Sequence, residues 1–312
     1  MTDAPELPVL LSVVMPAYNY GNYLRRAADS VLSQLRPDCE LVVIDDGSTD
    51  DTAKVLEEIQ ASNPARFFWM RQDNAGAAAA RNAGVRLSRG VYLLFLDADD
   101  ELVPGALDAV CARIRESPRA SVLLGGRLMH RADGREKYHP PPIALASDPC
   151  IRVADYLLHK RLGMSHGATV ARRDLIEGRP YPEELRGGED IPVFAHLFAH
   201  GEFAMIDKPL ARIHKHADSL RHLRPDSDAH ATLLVNEVFR SLPAACAGMR
   251  GSYAARRYLS LFRTALRSGD RSLAQGYFRT AMREDCRQCL VPGQLRKNMK
   301  AVLAGLLRRR HA

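Results

Sequence analysis

No run of apolar residues in this 312-residue chain approaches the length a membrane-spanning helix needs, about 20. No basic-then-apolar leader precedes Ser12, so a secreted location is not expected. The composition shows no disordered bias. Cysteine shows no disulfide framework: Cys39, Cys111, Cys150, Cys246, Cys286 and Cys289 are scattered, which predicts reduced thiols in a cytoplasmic protein. Cys286-Arg-Gln-Cys289 has a metal-like spacing, but no second pair follows, and it reads as helix surface and core. Acid is absent from Cys286 onward, where seven Lys/Arg stand, leaving 37 residues of each sign in residues 1–285. The net charge of +7 therefore belongs to a tail, and no nucleic-acid partner is expected. At 46% hydrophobic and 26% charged, the chain can bury a sizeable core. Its length suits one large domain or a domain plus an appendage.

The most informative stretch is Val91-Tyr-Leu-Leu-Phe-Leu-Asp97-Ala-Asp99-Asp100. Six apolar residues in a row read as a strand buried on both faces. Three carboxylates within four residues at its end repel one another unless a cation or hydrogen-bond donors compensate. One reading is a divalent-metal site of hard oxygen ligands holding Mg²⁺ or Mn²⁺. The other is capping, since Asp99 and Asp100 precede Leu102-Val103-Pro104 and a helix.

Earlier strands are expected at 9–15, 41–44 and 67–70, each followed by a helical pattern, with helices also over 75–88 and from about 104 to 116. Strands alternating with helices predict an α/β fold with a mostly parallel sheet. Asp45-Asp46-Gly47 ends the second strand, so two acid clusters face one crevice at the carboxyl ends of parallel strands. Gly47 and Gly76 would let backbone approach a nucleotide diphosphate there.

Four ordered motifs carry a resemblance: Ser12-Val-Val-Met-Pro-Ala-Tyr-Asn-Tyr20, Val43-Ile-Asp-Asp-Gly-Ser-Thr-Asp50, Ala80-Arg-Asn-Ala-Gly84 and Phe95-Leu-Asp-Ala-Asp-Asp100. The sequence resembles family 2 glycosyltransferases, inverting enzymes of the GT-A fold that use nucleotide-sugar donors, most often UDP-linked. The resemblance runs more loosely to about residue 220 and does not cover the last 90 residues. It implies that Pro16, Ala17 and Tyr18 border the base and ribose, and that Asp46, beside Asp45, contacts one of them. Arg81 would neutralise phosphate or orient Asp97. Asp97-Ala98-Asp99 matches the D-x-D motif, with Asp97 toward ribose or sugar and Asp99 on the metal that bridges the diphosphate. A divalent cation there stabilises the leaving group's charge.

From 118 to 150 the chain reads as irregular around a strand at 122–124, with Gly125-Gly126 and Pro140-Pro-Pro142 as loop signals. A helix over 151–162 and a strand over 166–173 follow. Gly187-Gly188-Glu189-Asp190 opens an apolar helix, where acids suit the helix dipole. The resemblance instead makes Asp190 the catalytic base, which inversion requires, and Glu189 an acceptor or structural neighbour. Where family members carry Gly-Gly-Phe-Asp, Glu177-Gly-Arg-Pro-Tyr181 stands in positions that face the acceptor in relatives. Leu210-Ala-Arg212-Ile-His214 resembles the family's closing Tyr-Arg-x-His segment. Arg212 would meet phosphate, and His214 would be a third metal ligand, a diphosphate contact or structural. Lys215, His216 and Ser219 would belong to a loop closing over the donor.

Beyond Pro225 the pattern is helical, over 228–242, 253–267 and 272–284, an appendage that packs on the catalytic domain or pairs subunits as a homo-oligomer. The expected organisation is a catalytic domain over 1–220, with 9–124 binding nucleotide sugar and 125–220 the acceptor, then a helical region over 221–312. In the tail, Leu295, Met299, Val302, Leu303, Leu306 and Leu307 fall on one helical arc, flanked by Arg296, Lys297 and Lys300, with Arg308, Arg309 and Arg310 at the end. It is either an in-plane anchor on an anionic membrane's inner face, over 294–310, or a helix docked on its own domain. The sequence thus predicts transfer from a UDP-sugar to a saccharide or lipid-linked acceptor in bacterial surface polysaccharide synthesis. The rival is a catalytically silent nucleotide- or sugar-binding protein. A nucleotidyltransferase would want a Gly-rich Lys/Arg signature near the first strand, which is absent.

Overall fold

Strands β1 (Leu11–Ala17) and β2 (Cys39–Asp45) are so apolar that only a place covered on both faces suits them, and both lie inside the sheet with a strand on either side. The structure, a computed structural model, describes residues 8–63, 65–131, 133–214 and 227–307, excluding the side chains of 304–307. Between the strands run α1 (Gly21–Leu32), α2 (Thr52–Ser62), β3 (Phe67–Arg71), α3 (Ala77–Leu87), β4 (Tyr92–Phe95), β5 (Glu101–Leu102) and α4 (Ala106–Glu116). Then come β6 (Val122–His130), β7 (Glu136–His139), α5 (Pro149–Ala154), β8 (Thr169–Arg172), α6 (Arg173–Gly178), α7 (Asp190–His200) and β9 (Phe203–His214). The sheet order is β3-β2-β1-β4-β8-β6-β9-β5, with β7 paired to β6.

The class is α/β, as expected. The mostly parallel sheet is confined to the first half: β3, β2, β1 and β4 are parallel, while β8 runs antiparallel to both β4 and β6. Parallel pairing returns only at β6–β9, so the whole sheet is mixed. β8 can pair antiparallel because it follows an excursion from β6 through α5 rather than a simple crossover. Gly125 and Gly126, in a segment read from sequence as a loop or edge strand, lie inside β6, where the register against β9 shifts in a bulge.

Alternation along the strands sorts the core. Val13 and Met15 of β1 and Leu94 of β4 face one cluster with α1, α2 and α4, while Val14, Leu93 and Phe95 face the other with α7. α3 is rich in small residues because it lies almost on β1: a Cβ on Gly84 would stand 2.3 Å from Val14 Cγ1. β1 has β2 on one side and β4 on the other, so the chain reverses its winding direction there, and a crevice opens at the carboxyl ends of these strands.

The C-terminal helices are α8 (Asp228–Phe239), α9 (Arg250–Ser268), α10 (Arg271–Asp285), α11 (Arg287–Leu290) and α12 (Pro292–Leu307). Leu234, Val235 and Val238 of α8 join the second core, and α9 and α10 pair through Tyr258, Leu259, Ala274 and Tyr277. The expected reduced state of all six cysteines is corrected at one place. Cys150 at the start of α5 and Cys246 before α9 form a disulfide, 96 residues apart in sequence. Separation that long hides such a pair from spacing arguments. Cys39 and Cys111 are buried and unbridged, and Cys286 is exposed while Cys289 is buried, as the helix reading expected. Among the described residues no helix is long and apolar enough to cross a membrane.

Gly84→Val should cost about 1–3 kcal/mol of unfolding free energy through overpacking, despite the better helix propensity of Val. Urea unfolding measures it. An unchanged midpoint would contradict the close approach of α3 to β1.

Candidate active site

Two loops build the near wall of the crevice, and side chains fasten one to the other. Ser48 Oγ accepts from Asn19 N at 2.9 Å, Asn19 Oδ1 accepts from Thr49 N at 2.8 Å, and Asp50 Oδ2 accepts from Gly21 N at 3.0 Å. Pro16 and Ala17 sit in the last turn of β1, which runs two residues further than expected, and Tyr18 projects from its end, 36% exposed. Ala17 O accepts from Asp46 N, so the segment expected to border the base is joined directly to the second acid cluster.

Within that cluster, Asp45 is fully buried and caps its own turn by accepting from Ser48 N at 2.9 Å, with Arg71 3.6 Å away. Asp46 Oδ1 accepts from Gln72 Nε2 at 2.7 Å and Ala75 N at 2.9 Å, and Oδ2 accepts from Gly76 N at 2.7 Å. The Asp46 carboxylate thus clamps the loop leading into α3. Gly47 (φ +75°) and Gly76 (φ +92°) serve close packing within the protein. A Cβ on Gly47 would stand 2.8 Å from Asn74 N, and one on Gly76 would stand 2.1 Å from an Arg186 guanidinium nitrogen.

The second cluster, after β4, is the centre of the site. Carboxylate oxygens of Asp97, Asp99 and Asp100 all lie within 4.8 Å of one another, and Asp99 and Asp100 are buried. Ala98 between them is buried in the core, which fixes the backbone from which Asp97 and Asp99 project. Arg26 donates to the Asp99 carbonyl at 2.8 Å. The Tyr20 phenol is pushed up first by burial and then by the charges of Asp99, Asp97 and Asp100, a sign of how strong the local negative field is. Three converging hard oxygen ligands fit a divalent cation. They would hold Mg²⁺ or Mn²⁺ without any soft ligand.

Arg81 ties this cluster to the far wall. It donates to Asp97 Oδ1 at 2.9 Å and to Glu189 Oε1 at 2.8 Å, and its guanidinium lies over the Tyr181 ring at 5.4 Å. Burial works against its charge, yet Asp97 and Glu189 outweigh it and push the pKa above the usual arginine value. Burial alone would raise the Glu189 carboxyl, but Arg81 reverses the sign and holds it below the ordinary range. Glu189 precedes α7 directly, so the bridge ties the start of α7, whose first residue is Asp190, to the acid cluster.

Arg212 and His214 both face Glu101. Arg212 is held by Glu136 and Glu101, and the His214 ring nitrogen meets Glu101 at 2.7 Å. Burial, the larger influence, lowers the His214 pKa against the pull of Glu101. Neither side chain joins the three converging carboxylates, but the His214 backbone N–H donates to Asp100 Oδ1 at 2.8 Å. Lys215, His216 and Ser219 lie outside the described residues.

Sequence reasoning missed three supports. His166 packs against Phe95 and Phe194, reaches within 3.9 Å of Asp97, and shares a hydrogen bond with the Tyr181 hydroxyl at 3.1 Å. Tyr181, expected in an acceptor-facing stretch, is buried behind Arg81, where Asn82 bonds both its N–H and its carbonyl. Arg186 leans on Gly76 just before Gly187-Gly188. No periodicity marks His166 or Arg186; Asp100 was visible in the acid run itself.

Residues 12–179 match the family model described as glycosyl transferase family 2. A chondroitin synthase of Escherichia coli is 42% identical over 107 residues, 34% of this chain and 16% of that protein. The uncharacterized glycosyltransferase EpsJ of Bacillus subtilis (strain 168) is 27% identical over 232 residues, 71% of this chain and 66% of its own length. The chain thus spans about a sixth of the first relative and just under two thirds of the second. Among solved structures, S. aureus TarS 1–349 in complex with UDP-GlcNAc superposes with a TM-score of 0.67 over 97% of this chain and 92% of that one. At 22% identity this is a likeness of fold.

Replacing Arg81 by Met should leave Glu189 buried without its cation and cost about 3 kcal/mol at pH 7, the low end for a broken buried pair because Asp97 is partly exposed. The Glu189 pKa is depressed by Arg81, so this contribution is complete above the usual carboxylate range and fades as pH falls through the lower folded value. Urea unfolding at pH 7 and in acid should therefore show the cost of the substitution shrinking with acidification. A cost that grows in acid would contradict the assignment.

Proposed function

This chain belongs to glycosyl transferase family 2, and on that premise we propose that it moves a sugar, with inversion, from a nucleotide diphosphate donor to a saccharide hydroxyl. The observation that carries the reading is the convergence of Asp97, Asp99 and Asp100, tied through Arg81 and Glu189 to the start of α7. A UDP-sugar is the proposed donor, supported by the UDP-GlcNAc complex of TarS. Pro16, Ala17 and Tyr18 border its base and ribose at the end of β1, where Ala17 O accepts from Asp46 N, and Asp97 meets the ribose or sugar. Asp99, with Asp100 and Asp97, would hold Mn²⁺ or Mg²⁺, and the bound ion would neutralise charge developing on the diphosphate. The backbone of His214 keeps Asp100 aimed inward.

Asp190 takes the proton from the acceptor hydroxyl as that oxygen attacks the anomeric carbon on the face opposite the departing diphosphate. Glu189 is held by Arg81 and so supports the base rather than replacing it. We propose the division of labour read from the sequence: donor binding over 9–124, acceptor binding over 125–220 and a helical region over 221–312. The names of the relatives, a chondroitin synthase among them, support a saccharide acceptor in surface polysaccharide synthesis.

Thermal unfolding with UDP-GlcNAc and other UDP-sugars, with and without Mn²⁺ or Mg²⁺, should show stabilisation by the right donor only when the ion is present. Asp190→Asn should keep that stabilisation while turnover falls roughly 10²-fold or more. Full transfer in a chelator would refute the metal reading, and loss of donor affinity in Asp190→Asn with turnover preserved would refute the base.

A second reading concerns location. α12 is docked, but by its polar side: Gln294, Asn298 and Ala301 are buried, and Arg263 donates to both amides. Leu295, Met299, Val302 and Leu303 face outward, 41–57% exposed, and with Phe278, Met282 and Leu290 line a groove of about 800 Å³. Exposed Arg279 lines it, and exposed Arg296 and Lys300 stand on α12. An apolar face rimmed by cations suits an anionic bilayer, which would bring the enzyme to a lipid-linked acceptor. The arginines at 308–310 and the side chains of Leu306 and Leu307 lie outside the described residues. Full-length protein should co-sediment with phosphatidylglycerol-containing vesicles, less so at high salt. Met299→Glu with Leu303→Glu should abolish it, whereas binding that survives this change would refute the surface.

A further inference from the structure

The geometry points to a second anion site, away from the acid cluster: Lys160, Arg256, Arg257, Arg263 and Lys297 together would bind a diphosphate or comparable polyphosphate group. Lys160 ends the π-helical turn at 155–159, which packs against α9, and α9 in turn carries α12. Arg256 and Arg263 are seven residues apart, on one stripe of α9, and Lys297 stands on the adjoining α12. The charged groups that act on Lys160 are Lys297, Arg257, Arg256 and Arg263, all cations, and burial is the larger cause that lowers its pKa.

No carboxylate among the described residues pairs with any of the five within ion-pair distance; the nearby Asp155 is taken by His159 and Arg161. The partners these arginines do have are neutral. Gln288 Oε1 accepts from Arg256 at 2.7 Å, and Gln294 and Asn298 accept from Arg263 at 3.1 and 3.0 Å. Amides hold a guanidinium in place without cancelling its charge, which is how a site is preorganised for an incoming anion. Arg257 Nε is buried with no hydrogen-bond partner among the described residues, a donor left unsatisfied within the protein. Lys160 adopts a left-handed backbone (φ +55°), uncommon outside glycine and found where surrounding structure enforces it.

Charge count narrows the ligand. One phosphate brings a charge of about −2 at neutral pH and three acceptor oxygens. Five cations with no acid exceed that, whereas two linked phosphates approach it and offer enough oxygens for several guanidinium forks. The group could be free or borne by a lipid, and both present the same chemistry. This site does not depend on the donor reading above.

Inorganic pyrophosphate in chelator, titrated against the full chain by calorimetry, tests the inference. A double variant, Lys160→Asn with Arg257→Gln, keeps side chains suited to these backbones. It should weaken pyrophosphate at least tenfold while leaving UDP-sugar affinity with divalent cation intact. Removing two exposed cations elsewhere, Arg131→Ala with Arg135→Ala, should leave pyrophosphate affinity unchanged. Dihexanoyl phosphatidic acid, titrated as monomer, separates the sources: weakening by the double variant extends the site to lipid headgroups, and indifference of both proteins to it restricts the ligand to soluble polyphosphates. No pyrophosphate binding, equal binding by wild type and double variant, or equal weakening by the control pair would overturn the proposal.

Discussion

Everything in the crevice depends on one buried cation. Arg81 projects from α3, which lies against the sheet through alanines and Gly84, and meets Asp97 from the end of β4 and Glu189 from the start of α7. The guanidinium fork is the one side chain able to serve two carboxylates from a fixed plane at once. Without it, Asp97 would lose the cation 2.9 Å away that offsets its repulsion from Asp99 and Asp100, and Glu189 would lose its buried ion pair. Burial costs the cation part of its favourable energy, and the two carboxylates more than offset that loss. Tyr181, His166 and Phe95 then wall off the back of the pair, which keeps solvent from loosening it.

The same bridge explains how a mixed sheet makes one site. The parallel half delivers the acid clusters of β2 and β4 to one edge, as any open α/β sheet would. The antiparallel half brings α7 to face that edge by way of β8 and β6. A carboxylate at a helix start is favoured by the helix dipole, and Asp190 is the first residue of α7.

How much of this was legible in the sequence follows from the range of each interaction. The buried strands, the Ala-rich α3 and the acid run 97–100 announce themselves through local patterns, and their family resemblance is now matched over residues 12–179. Partnerships between residues distant in sequence do not: the Cys150–Cys246 disulfide, the His214 ring on Glu101, and Asp46 clamped on the 72–76 loop. The resemblance made His214 a candidate ligand or a structural residue, and its ring meets Glu101, one residue past the acid run. Periodicity put Leu295, Met299, Val302 and Leu303 on one arc of α12, and all four are exposed, but it left open which face docks. A buried Gln-Asn-Ala stripe held by Arg263 resolves it, because satisfied amides can pack inward while the apolar arc stays out.

The account stands or falls on whether Arg81 and Glu189 act as a pair rather than as two independent core residues. A double-mutant cycle combining Arg81→Met and Glu189→Gln, read by urea unfolding at pH 7, isolates that coupling. The bridge predicts an interaction of about 1–3 kcal/mol, with the double variant less damaged than the sum of the singles. Strictly additive losses would show that the two residues do not hold the crevice together.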